Sequence, residues 1–307
     1  MLNKVIFLLG PTAVGKTKAA LILAGKINAE IISCDSMQIY KGMDIITSKP
    51  ALKLREKIPH HLIGTIPVDK EYDVSRYRRE AVSSIREIIK REKIPLFVGG
   101  TALYASIVID GIFKDKSKNK KIREGLYDEM EKFGSQYLYE RLTKVDPEAV
   151  LKIHPHDTRR IIRALEVFES TGKPISELKK QRKGLTDDYD IKIFCLNMPR
   201  SELYERIDGR VEKMFKMGLI SEVRKLLKRR LSKTASCAIG IRELKGYFEG
   251  LYDLDEAKRL MKQNTRHFAK RQLTWFRKDK RIKWVEVDDK VRPGEMAKKI
   301  FKEINSH

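Results

Sequence analysis

Residues 5–9 (VIFLL) form an unbroken apolar run closed by Gly10, the pattern of a strand buried on both faces. Residues 16–27 read as a helix and 30–34 as a second strand. From 74 to 92, apolar residues fall at 74, 77, 81, 82, 85, 88 and 89, the 3.6-residue period of an amphipathic helix. Residues 95–98 are another apolar run, closed by Gly99-Gly100. Strands alternating with helices predict an α/β fold, a parallel sheet covered on both faces.

The alternation stops near Gly111. Residues 114–123 carry five lysines and an arginine with almost nothing apolar, and the chain to about 188 reads as helices broken at Asp146-Pro147, His154-Pro155 and 171–174. Strand character returns at 191–198, followed by helices over 201–217, 221–230 and 255–278. The predicted organisation is one α/β core with C-terminal helices, residues 1–111 and 190–307, interrupted by a helical insertion at 112–189.

A length of 307 residues fits about two domains. Lys and Arg total 65 against 42 Asp and Glu, a formal charge of +23. A charged surface of both signs explains the 35% charged residues but not that surplus, which points to a polyanionic partner, above all nucleic acid. The 41% hydrophobic content excludes a disordered tail. No apolar stretch reaches membrane-span length, and 5–9 is too short for a secretory segment. Cys34, Cys195 and Cys237 are far apart and odd in number, giving neither a disulfide framework nor a zinc pair. These features lead us to expect a reduced, cytoplasmic protein.

The chemistry starts at Gly10, Pro11, Thr12, Ala13, Val14, Gly15, Lys16 and Thr17, a full G-x-x-x-x-G-K-T between a strand and a helix. Its glycines let backbone N–H groups face a phosphate, Lys16 neutralises phosphate oxygens, and Thr17 is the expected Mg²⁺ ligand. The motif makes the predicted fold a P-loop NTPase-like parallel sheet core, without saying which polyphosphate it holds. Asp35 closes the next strand, on the sheet edge that faces the ligand crevice, as a base, an outer Mg²⁺ partner or a helix cap. Thr101, after Gly99-Gly100, falls on the same edge. The pairs His60-His61 and His154/His156 lack further ligands at metal spacing and read as loop histidines.

Basic helix faces come next. Arg159, Arg160 and Arg163 stand at a helix start, Arg206 and Arg210 lie one turn apart, and Arg259, Arg266, Lys270 and Arg277 follow one face of the last long helix. Together they favour phosphate backbones. Trp275 and Phe276 read as core anchors.

The motifs GPTAVGKT (10–17), DSMQIY (35–40), TSKP (47–50), PHHLIG (59–64), VGGTALY (98–104), DPEAVLKIHPHDTRRIIRALEV (146–167), ASCAIGIREL (235–244) and TRHFAKRQLTWFRK (265–278) occur in that order. The chain thereby resembles the tRNA dimethylallyltransferase (isopentenyl-tRNA transferase) family over essentially its whole length. It departs at Val14, where Ser is usual, at Ala102, where Gly is usual, and at Ile241, where an aromatic is common. No zinc-finger extension follows Lys278, as in the bacterial form.

The resemblance implies transfer of a dimethylallyl group from dimethylallyl diphosphate to N6 of adenosine 37, next to the tRNA anticodon, with release of diphosphate. It implies that the P-loop and Mg²⁺ hold the donor diphosphate, that Asp35, Thr101 and Arg210 are catalytic, and that Asp35, Ser36, Met37, Gln38 and Thr101 meet the target base. Arg123, Arg159, Arg160 and Arg163 are implied as contacts to the anticodon stem-loop, and the enzyme is expected to be a monomer. The rival from the residues alone is an ATP-dependent P-loop phosphotransferase acting on a nucleotide or RNA. A non-enzymatic RNA-binding protein is a third reading, disfavoured by Asp35 and Thr101 on the catalytic edge.

Overall fold

A computed structural model describes residues 2–113 and 119–305. Strands β1 (Asn3–Leu9), β2 (Ala29–Cys34), β3 (His60–His61), β4 (Ile94–Gly99), β5 (Tyr189–Asn197) and β6 (Lys283–Glu286) form a single sheet in the order β3-β2-β4-β1-β5-β6. Every neighbouring pair is parallel. The helices are α1 (Lys16–Lys26), α2 (Leu52–Lys57), α3 (Val74–Lys90), α4 (Ala102–Ile109), α5 (Lys120–Val145), α6 (Pro147–Val150), α7 (Thr158–Thr171), α8 (Ile175–Lys180), α9 (Arg200–Lys216), α10 (Leu219–Leu227), α11 (Ile241–Phe248), α12 (Leu254–Phe276) and α13 (Pro293–Asn305).

The apolar run of β1 is buried on both faces. Val5, Phe7 and Leu9 belong to one core layer and Ile6 and Leu8 to the other, none more than 2% exposed. Phe7 stacks on Phe97, its register partner in β4, at 4.4 Å between ring centroids. Because β1 lies between β4 and β5, its C-terminal end opens into the crevice where the sheet order switches, the usual ligand position in such sheets.

The chain divides into two compact units. The first comprises residues 1–109 and 185–307 and holds the sheet. The second, residues 110–184, is helical, with Leu138, Leu142, Ile161 and Val167 fully buried in its own core. Its α5 breaks at Gly134, whose φ of +82° ends one helical run and starts another. Buried Asp146 ties this unit together by accepting from the N–H of Ala149 and of Ser176. The first residues of the basic run at 114–123 lie outside the described residues.

Some elements differ from the sequence pattern. The fifth strand starts at Tyr189 rather than 191, because its ladder with β1 already pairs Asn3 with Tyr189. α10 starts at Leu219, after Gly218 in a left-handed conformation, and stops at Leu227, where exposed Lys228, Arg229 and Arg230 supply nothing to bury. Trp275 stands 40% exposed rather than in the core, and only Phe276 is buried there. β3 and β6 are too short to carry a periodic signal, whereas α13, beyond the last helix expected from the sequence, carries one in its buried Met296, Ala297, Ile300 and Ile304.

Candidate active site

The phosphate loop leaves β1 with a backbone few residues adopt. Gly10 has φ +148°, and a Cβ there would press on the Leu196 carbonyl at 3.0 Å. Ala13, a residue with a side chain, is held at φ +67°, a conformation that costs about 1 kcal/mol or more and persists only when its surroundings impose it. Gly15, at φ +102°, opens α1 without a side-chain cap. The first N–H groups of α1 are thus left for an incoming anion.

Lys16 Nζ donates to the carbonyls of Gly10 (2.9 Å) and Pro11 (2.6 Å), so the loop holds its own lysine. Burial lowers the Lys16 pKa to about 8, and the nearby Arg210 guanidinium adds to this while Asp35 opposes it. Burial also lowers the pKa of Arg210 itself. Both cations are therefore poorly solvated before any anion arrives, which favours binding one.

Two chambers meet here. The larger, about 610 Å³, is lined by Thr12, Lys16, Thr17, Gln38, Arg206 and Arg292. The smaller, about 320 Å³, is walled mainly by apolar side chains, among them Ile46, Val211, Met214, Met261 and Phe268. Thr12, Asp35, Arg210 and Phe268 border both. A carboxylate and a guanidinium thus stand where a space bordered by the phosphate loop joins an apolar one.

The end of β2 is built by close backbone contact. A Cβ on Gly99 would land on the Cys34 carbonyl, and Thr101 N donates to that same oxygen at 3.0 Å. Thr101 Oγ1 accepts from the Ser36 N–H at 3.0 Å. Asp35 Oδ1 accepts from the N–H groups of Met37 (2.9 Å) and Gln38 (3.2 Å), which fixes its side chain and leaves Oδ2 without a protein partner among the described residues. Gln38 Nε2 donates to the Thr47 carbonyl at 3.2 Å. Thr101, Asp35, Ser36, Met37 and Gln38 are thus gathered into one turn.

Gln272 of α12 was not singled out in the sequence. Only 6% exposed, it accepts from Thr12 N–H at 2.9 Å and donates to the Gly100 carbonyl at 2.9 Å, joining the phosphate loop to the β4 turn. Its signal was an uncharged polar residue on the buried face of an otherwise basic helix, between Ala269 and Phe276. Arg292, just before α13, lines the larger chamber and was also missed, because no local pattern brings it there.

The basic faces are more neutralised than their spacing implied. Arg206 Nε donates to Asp289 at 2.6 Å, Arg259 pairs with Glu256, and Arg266 is held by both oxygens of Asp208. In the helical unit, Arg123 and Arg163 each reach Glu166 Oε2 at 2.7 Å, and this carboxylate is 1% exposed. Arg160 pairs with Asp157 at 3.1 Å on the surface, and Arg159 is exposed without an ion pair among the described residues.

Among the described residues no three His, Cys, Asp or Glu side chains gather as a metal site. His61 instead bonds Glu30 at 2.7 Å, and His60 bonds the Ile58 carbonyl. A Mg²⁺ site that draws most ligands from phosphate and water needs only one or two protein oxygens. Thr17 and Asp35, both lining the larger chamber, fit that requirement.

A parallel sheet with a phosphate loop after its first strand, facing a strand-end carboxylate, defines an α/β protein of the P-loop class. The description "IPP transferase" belongs to the family model that matches residues 38–279. The chain is 46% identical over 98% of its length to a tRNA dimethylallyltransferase of Halothermothrix orenii, covering 92% of that protein. To the one from Carboxydothermus hydrogenoformans it is 49% identical over 93% of each chain. The crystal structure of full-length tRNA isopentenylpyrophosphate transferase from Bacillus halodurans superposes with a TM-score of 0.73 at 38% identity, covering 98% of this chain and 95% of that one. A eukaryotic dimethylallyltransferase acting on tRNA gives 0.79 at 32% identity, over 94% of this chain and 74% of that one. The chain belongs to the IPP transferase family.

Proposed function

We propose that the chain is a tRNA dimethylallyltransferase, a prenyltransferase that moves the dimethylallyl group of dimethylallyl diphosphate onto N6 of adenosine 37. The observation that carries this reading is the position of Asp35 and Arg210 at the junction of a phosphate-binding chamber and an apolar one. A prenyl diphosphate has those two halves, and its reactive carbon lies where they join.

The phosphate loop, Lys16 and Arg210 bind the diphosphate and stabilise the charge that builds on it as the C–O bond breaks. Lys16 turns from the Gly10 and Pro11 carbonyls to the phosphate oxygens. Thr17, with Asp35 nearby, would hold Mg²⁺, which would supply further charge neutralisation to the leaving group. The N6 nitrogen of adenine is a weak nucleophile because its lone pair is shared with the ring. As it bonds to the prenyl carbon its proton becomes acidic, and Asp35 Oδ2, held free by the bonds that Oδ1 makes, takes that proton. Thr101 keeps the Asp35–Gln38 turn in place through Ser36 N–H. The target base must leave its stack to reach this turn. Exposed Arg159 and Arg160 fit the tRNA backbone, whereas Arg123 and Arg163 shape the helical unit through Glu166.

The working unit in this reading is a monomer, acting in the cytoplasm where tRNA is found. Among the described residues no helix is long and apolar enough to cross a membrane. Incubation with dimethylallyl diphosphate, Mg²⁺ and unmodified tRNA, followed by mass analysis of the nucleosides, tests the reading. Dimethylallyladenosine is expected. Phosphate transfer from ATP to RNA, with no prenylated nucleoside, would establish the phosphotransferase instead.

A further inference from the structure

Between the two chambers runs the segment 43–50. Ile46 and Thr47 line the apolar chamber, and Ser48 and Pro50 line the phosphate chamber. Ser48 is held at φ +48°, a conformation a serine adopts only under constraint. The constraint comes largely from outside the segment. Glu222, in the first turn of α10, accepts three consecutive backbone N–H groups, those of Asp44 (3.1 Å), Ile45 (2.8 Å) and Ile46 (2.9 Å). From inside, the almost fully buried Lys49 donates to the Tyr40 carbonyl and to Asp44 Oδ1, and Thr47 Oγ1 donates to the Met43 carbonyl. Ile46 packs against Gly240, where even a Cβ would come within 3.1 Å of Ile46 Cδ1.

The segment ends on the reacting turn. The Thr47 carbonyl receives Gln38 Nε2, and the Gln38 N–H is held by Asp35 Oδ1. We infer that Glu222 is a positioning residue for the acceptor base. Its carboxylate clamps the backbone at 44–46, which sets the Thr47 carbonyl, which in turn aims the Gln38 amide beside Asp35. Only a carboxylate suits this place. Three N–H donors converge on two oxygens, and a glutamine would turn its own NH₂ toward one of those donors and lose a charge-assisted bond. This inference rests on the proposed prenyl transfer to a tRNA base at the Asp35–Gln38 turn.

The test combines kinetics with a measurement that needs no turnover. Glu222→Gln is expected to lower kcat/KM for tRNA by about tenfold or more, since a misplacement near 1 Å is enough for such a loss. Its affinity for inorganic diphosphate with Mg²⁺, read by calorimetry, should stay within about twofold of wild type, because the phosphate loop is not part of the clamp. In a Gln38→Ala background the same Glu222→Gln change should cost less than about threefold, because its route to the base is already cut. Losses that multiply in the double variant, or diphosphate affinity falling in parallel, would overturn the inference and leave Glu222 a merely structural residue. Should the glutamine variant fail to fold, Glu222→Asp, charged but shorter, is expected to give the same split. Amide hydrogen exchange at 44–46 reads the clamp by itself, with faster exchange expected in Glu222→Gln and unchanged protection overturning it. If the wild type transfers no prenyl group, the proposed function fails and the positioning role falls with it, while the exchange still decides whether the clamp exists.

Discussion

Lys16 is the residue whose state before substrate binding says most about the reaction. It is protonated and bound to its own loop at neutral pH, and burial holds its pKa near 8. A bound diphosphate favours the protonated form, so donor binding must be accompanied by proton uptake once the free enzyme's lysine has lost its proton. Diphosphate affinity should therefore lack a Lys16-dependent slope below pH 8 and weaken by up to about tenfold per pH unit above it. Lys16→Met should bind weakly at all pH values and lack that added slope. Calorimetric titration of both proteins with inorganic diphosphate and Mg²⁺ from pH 7 to 9.5 checks this, and equal slopes would remove Lys16 from the donor site. At this scale the sequence was informative wherever chemistry is local in the chain. Gly10 to Thr17 and Asp35 to Gln38 are contiguous, and their roles follow from a strand end and a helix start. Gln272 and Glu222 bond residues more than 170 positions away, and Arg292 lines a chamber begun by the phosphate loop, so only the folded chain brings them there.

Among the elements, the two-residue strand β3 illustrates how little of a sheet edge periodicity reveals. It is held by Glu30 of β2, which accepts from His61 (2.7 Å), Arg91 (3.1 and 2.7 Å) and Lys93 (3.1 Å) while only 2% exposed. Burial alone would raise the Glu30 pKa, but the bonds from Arg91, His61 and Lys93 outweigh it and bring it down to about 2. A carboxylate depressed in the folded state contributes stability that is complete above its ordinary value of 4.5 and is lost as pH falls toward 2. Glu30→Gln should therefore be less stable than wild type at pH 7, with the gap closing between pH 4.5 and 2. Denaturant midpoints of the two proteins across that range test it, and a constant gap would contradict it. The helices of the second unit make a similar point about charge. Glu166 lies three residues after Arg163, so a pairing was available in the sequence, but its burial and its second partner Arg123 come only from packing α5 on α7. Arg163→Ala should cost about 1–3 kcal/mol of stability by leaving a buried carboxylate short of a partner. The double variant Arg159→Ala/Arg160→Ala should leave thermal stability nearly intact. Thermal unfolding of the two variants separates these roles, and equal losses would mean that the arginines are not divided in this way.

For the whole molecule, the +23 surplus is the property that most constrains the partner. Ion pairs neutralise Arg123, Arg163, Arg206, Arg259 and Arg266, so the charge that meets RNA is narrower than a count of helix faces suggests. If Arg159 and Arg160 touch phosphates, removing both should lower the slope of log affinity for tRNA against log salt by about one to two units, at 0.7 to 0.9 per phosphate. Diphosphate binding should not change. Filter binding across a salt series reads this, and an unchanged slope would take the helical unit out of the tRNA contact. The fold class was legible from alternating apolar runs and the phosphate loop, because a parallel sheet buried on both faces writes itself into short continuous stretches. The joined chambers were not, since their walls come from the phosphate loop, α1, β2, β4, α9, α12 and the 43–50 segment at once.

In the proposed reaction a prenyl diphosphate and a tRNA base meet at Asp35. Single-turnover transfer from dimethylallyl diphosphate labelled in the prenyl group into tRNA, measured for wild type beside Asp35→Ala, tests it most directly. Label should enter tRNA with the wild type, and the variant should be slower by about 10²–10⁴ while its tRNA affinity changes far less. No label in tRNA with the wild type would rule out the prenyl transfer, and an Asp35→Ala variant that transfers it at the wild-type rate would rule out Asp35 as the base.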